Sequence, residues 1–82
     1  MSQHRAFDLD LYFRDLVVLL KEKALESRVQ RDTASDEDRI FALGRLMAFH
    51  EIISLMQQQA TAFGISLDEL GLDDIVPERD LV

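Results

Sequence analysis

No glycine or proline occurs before Gly44, and only Gly64, Gly71 and Pro77 follow it. A chain with so few breakers folds as long helices, because glycine costs about 1 kcal/mol and proline about 3 kcal/mol inside one. The spacing predicts a first helix over about 8–31. Asp8 is its N-cap, Phe7 and Tyr12 are placed for a hydrophobic staple, and Arg28 and Arg31 suit the negative end of the helix dipole. After the loop 32–35, Ser35 reads as the N-cap of a second helix over about 36–63, with Asp36, Glu37 and Asp38 at its positive end. Gly64 supplies the left-handed residue that ends it. Ser66 and Glu69 then form the pattern of a capping box opening one short turn, which Gly71 closes, and fraying is expected past Pro77. Two helices joined by so short a loop must be antiparallel neighbours. The expected fold is all-α: a helical hairpin domain over 1–65 with a short C-terminal helical turn, followed by an acidic C-terminal tail over 66–82.

The apolar residues exceed what such a hairpin can bury. On the second helix Ala42, Leu46, Phe49, Ile53, Met56, Ala60 and Phe63 alternate at spacings of four and three, an a/d seam. A second row, Phe41, Ala48, Ile52, Leu55 and Ala62, runs beside it. Together they span roughly 200° of the circumference, where one partner helix needs about 100°. The first helix carries one broad stripe (Leu9, Tyr12, Phe13, Leu16, Val17, Leu19, Leu20 and Ala24) and, nearly opposite, Phe7, Leu11, Val18, Leu25 and Val29. A 28-residue helix is about 42 Å long, whereas a compact domain of this size is only about 30 Å across. Two hairpins packed as a four-helix bundle would bury the excess. The expected self-association interface comprises Leu11, Val18, Leu25, Phe41, Arg45, Phe49, Ile52, Ile53 and Met56. A tail folded back over the second stripe, or a different protein in the groove, would serve the same need.

Charge and residue content narrow the function. The 82 residues carry 9 Lys and Arg against 16 Asp and Glu, a formal net charge of −7. Residues 1–31 contribute +1, residues 32–63 −3 and residues 64–82 −5, so the acidity belongs to the C-terminal end. Such a balance disfavours direct nucleic-acid binding through phosphates. The absence of cysteine excludes disulfides, thiolate metal sites and a cysteine nucleophile. Unbroken apolar runs fall short of a membrane span and the first residues lack a signal-peptide core, so a cytoplasmic chain is expected.

Single residues offer little chemistry. His50 has Leu46, Met47, Ile53 and Ser54 at the positions where a helical metal site would place its other ligands; a surface or interface histidine is the simpler reading, and His4 lies near the terminus. Arg45 stands four residues from both Phe41 and Phe49 and is expected to lie on an aromatic ring, to reach water at the bundle edge, or to pair with Asp15 or Glu22. Gly44 inside the helix suggests a close helix crossing. Gln57–Gln59 reads as a solvated face with one interface glutamine. Leu67, Leu70 and Leu72 alternate with acids, either closing the end of this bundle or docking on a partner. No nucleophile is paired with a base, and no glycine-rich loop precedes a helix. The expectation is a non-enzymatic interaction module, an adaptor, regulator or inhibitor that forms a homodimer, needs no cofactor and engages a larger protein. The alternative is an acidic nucleic-acid mimic that blocks a DNA-binding protein.

Overall fold

The computed structural model describes residues 2–82, with side chains from Asp8 onward. Helix α1 spans Ser2–Thr33 and α2 spans Arg39–Ala62; a 3₁₀ turn follows over Leu67–Leu70, then a single-turn α3 over Pro77–Asp80. The two long helices pack against each other as the antiparallel hairpin that the breaker pattern dictates. No strand occurs among the described residues.

The seam of α2 faces inward as its spacing requires: Ala42, Leu46, Ile53 and Ala60 are buried, with Phe49 and Met56 half-buried against them. Phe63, the last member of that pattern, is exposed. On α1 the inward residues are Val17, Ala24 and Ser27, with Leu16 and Leu20 half-buried. Small residues (Ala24, Ser27, Ala42 and Ala60) therefore line the helix contact. The Ser27 hydroxyl, which would be costly to bury alone, donates back to the carbonyl of Ala24 on its own helix.

The helix ends depart from expectation at three places. α1 runs on through Asp8 to Ser2, because residues 2–7 hold no breaker and Asp8 is an interior residue rather than an N-cap. Phe7 and His4 lie outside the residues whose side chains are described. α2 starts at Arg39 behind Asp38, not behind Ser35. The chain must reverse within a few residues, so 36–38 form a turn closed by Asp38 N–H to Ser35 C=O at 3.0 Å, and the Ser35 hydroxyl is taken up by the Asp38 carboxylate. Ser66 precedes the 3₁₀ turn but makes no side-chain cap; Glu69 N–H bonds to the Ser66 carbonyl instead. Gly64 does end α2 with positive φ (69°). Ile65 N–H reaches the Ala60 carbonyl at 2.8 Å and Gly64 N–H reaches Thr61 at 3.0 Å, the paired bonds of a Schellman ending. Gly71, also at positive φ, closes the 3₁₀ turn in the same way, with Leu72 N–H to the Leu67 carbonyl at 2.9 Å.

Gly44 does not mark a close crossing. A Cβ built there meets nothing within 4 Å, so the glycine only adds backbone freedom to the unfolded chain. Gly44→Ala should raise the unfolding free energy by about 0.5–1 kcal/mol, read as a higher denaturant midpoint with an unchanged slope.

The segment beyond Gly71 is a strap laid along one groove of the hairpin rather than a frayed end. Leu72, Ile75, Pro77 and Leu81 are buried in it. Pro77 fits the first position of α3, where its missing N–H costs nothing. Burying each aliphatic anchor contributes about 1.5–3 kcal/mol, against about 0–1 kcal/mol for an exposed ion pair. The apolar anchors therefore hold the strap, and its charges orient it.

Candidate interaction surface

Rows of charge along α1 explain where the strap lies. Arg14, Lys21 and Arg28 recur every seven residues, and the last two face the strap. Lys21 Nζ meets Asp74 at 2.8 Å, Arg28 donates to the Asp80 carbonyl at 3.4 Å, and Arg31 donates to the Val82 carbonyl at 2.9 Å. From α2, the Gln57 amide donates to the carbonyls of Leu72 (3.1 Å) and Ile75 (2.8 Å). Gln57 is thus the structured member of the glutamine run, bound within its own chain.

Two strap carboxylates are tuned by these contacts. Hydrogen bonding to Lys21 holds Asp74 below the usual carboxylate value. The Arg79 side chain, followed by the Val76 N–H at 2.8 Å, brings Asp80 down to about 2. Groups with depressed values stabilise the fold above the ordinary value of 3.8, and lose that contribution as pH falls toward 2. Asp80→Asn should lower the melting temperature at pH 6, with the difference from the parent chain closing as pH approaches 2.

Among the described residues no strap covers the opposite groove of the hairpin. Its edge at the loop end is marked by Arg45, which donates to Gln30 at 2.8 Å and stands over the Phe49 ring, 5.3 Å from the centroid. The cation–ring contact is formed with Phe49; the polar partner is Gln30 rather than Asp15 or Glu22. Stepping 100° per residue from these fixed points puts Tyr12 and Leu19 of α1 on this open side with Phe41, Ile52, Leu55 and Phe63 of α2. All six are exposed, Phe41 and Phe63 at 70% and 74%. Half-buried Leu16, Phe49 and Met56 form the floor between them.

The residues expected to form one interface separate here. Phe41, Arg45, Phe49, Ile52 and Met56 lie on the open side or its floor, whereas Ile53 is fully buried in the chain's own core. Leu11, Val18 and Leu25 are exposed on the outer side of α1, turned away from that groove, and Leu25 borders the strap beside Lys21 and Ile75. Leu72 is buried, and Leu67 and Leu70 pack half-buried against the core, so these three close the end of this chain's own hairpin.

Among the described residues no three His, Asp or Glu side chains gather as ligands would. His50 borders a groove with Glu51, Ser54 and Glu78. By length and composition alone α2 could cross a bilayer, with a mean hydropathy of 1.2 over 18 residues; Arg45 and Glu51 lie in its middle. Compared with protein-family models, curated proteins and solved structures, the chain finds no match.

Proposed function

We propose that the protein is a small non-enzymatic interaction module that self-associates through apolar helix faces, acting as an adaptor, regulator or inhibitor of a larger protein. The observation that carries this reading is surplus surface on which large apolar side chains such as Phe41, Ile52, Leu55 and Phe63 stand exposed. The chain exposes 6176 Å², whereas a compact monomer of this mass exposes about 5,000 Å². The difference exceeds the roughly 800 Å² that each partner gives to a standard interface. Its radius of gyration, 15.0 Å, likewise exceeds the about 12 Å of a compact chain this long.

The nucleic-acid mimic is less well supported. Mimicry needs carboxylates free along a rigid surface, while Asp74 and Asp80 are engaged within the chain. The two readings differ in salt response and in linkage. An apolar dimer melts at a temperature that rises with protein concentration and changes little between 50 and 500 mM salt (values on the order of those used for such tests). A melting temperature independent of concentration, with capture of a DNA-binding protein that collapses at high salt, would favour the mimic instead.

A further inference from the structure

We propose, resting on the self-association reading above, that the dimer forms through the open groove of the hairpin, opposite the strap, with a second copy of the same chain as its occupant. The molecule measures 52 × 24 × 16 Å. A helix with its side chains is about 10–12 Å thick, so 16 Å accommodates one helical layer and the strap. Stable domains enclose their core between two layers. The strap supplies a partial second layer on one side; among the described residues no helix covers the other, which Ile65 and Leu70 border at its far end. A second hairpin laid on the open side completes a four-helix bundle, with Tyr12, Leu19, Phe41, Ile52, Leu55 and Phe63 in its centre.

Charge distinguishes this face from the competing stripe on the outer side of α1. Leu11, Val18 and Leu25 are flanked on one edge by Asp8, Asp15 and Glu22 and on the other by Arg14, Lys21 and Arg28, each set at seven-residue spacing. If that stripe met its own copy antiparallel, acidic edge would face acidic edge across the two-fold axis. A parallel pairing would need Lys21 and Arg28, which hold Asp74 and the Asp80 carbonyl of the strap. On the open groove the six residues named above are uncharged, and the charges beside them, Lys23, Glu26 and Arg45, all lie toward the loop end, so a copy laid with its loop at the opposite end meets no like charge there.

Solution mass and cross-linking of the whole chain test the assignment. Ile52 and Leu19 lie near mid-length of the hairpin, so a two-fold axis through the face passes close to them in either orientation. Ile52→Asp and Leu19→Asp should each raise the dimer dissociation constant by about a hundredfold or more, while Val18→Asp leaves it unchanged. Because the chain has no cysteine, Ile52→Cys should give a covalent dimer with a short bis-maleimide and Val18→Cys should not; this readout remains if an aspartate variant fails to fold. A dimer that dissociates with Val18→Asp, or cross-links through position 18 and not 52, overturns the face. A parent chain that is monomeric at every concentration, or that floats as a monomer with phosphatidylcholine vesicles, overturns the self-association reading itself.

Discussion

Ile53→Ala should lower the unfolding free energy by about 2–5 kcal/mol, the cost of a cavity left by a fully buried aliphatic side chain. Ile53 is 0% exposed in the middle of the α2 seam, between Leu46 and Ala60. A domain of this length holds roughly 4–12 kcal/mol in total, so a single methyl-bearing branch accounts for a large share of it. In a melting experiment the loss corresponds to a drop of about 10–30 °C. Ile40→Ala is the matched control: Ile40 is 85% exposed, and its truncation should stay within about 0.5 kcal/mol. Equal effects at the two positions would mean that α2 is rotated about its axis relative to α1.

Leu72→Ala should cost nearly as much, about 2–4 kcal/mol by the same cavity argument, although Leu72 lies beyond both long helices. The side chain is 0% exposed, within the cluster that contains Val17, Leu46 and Ile53. Gln57→Ala should add a loss of about 1–3 kcal/mol, because it removes the donor from two strap carbonyls at once. The two residues share a hydrogen bond through the Leu72 backbone, so the double variant should lose less than the sum of the singles. Urea denaturation of the four chains provides the cycle. If Leu72→Ala changed the midpoint by less than experimental error, the strap would not be part of the cooperative fold.

These two cases show what the sequence made legible. The hairpin follows from local rules: the scarcity of breakers before Gly64, and the four-three spacing of Ala42, Leu46, Phe49, Ile53, Met56 and Ala60. The glycine ending at Gly64 is equally local, since few other residues tolerate its φ. The strap was legible only as an alternative, a tail folded back on the hairpin with Leu72 closing its end, and its course past Pro77 was not, because Leu72, Ile75 and Leu81 find their neighbours some twenty to sixty residues away along the chain. Its alternating acids signal an exposed tail until they are set beside Lys21 and the outer row of α1.

Which stripe of α1 faces α2 was hidden for a related reason. Hydrophobicity favours the bulky residues of either stripe, but the rotation of the helix is fixed by the small ones, Ala24 and Ser27, which allow it to approach α2. Once Val17, Ala24 and Ser27 point inward, Leu11, Val18 and Leu25 must point outward and away from Phe41 and Ile52. The candidate interface read from the sequence therefore combined two faces. Only the α2 half of it, without Ile53, lies on the open groove.

The most direct measurement is the solution mass of the unmodified chain by sedimentation equilibrium across a wide concentration range. A mass converging on twice the 9.4 kDa of one chain is the expected result, and a mass of 9.4 kDa at the highest concentration would contradict self-association.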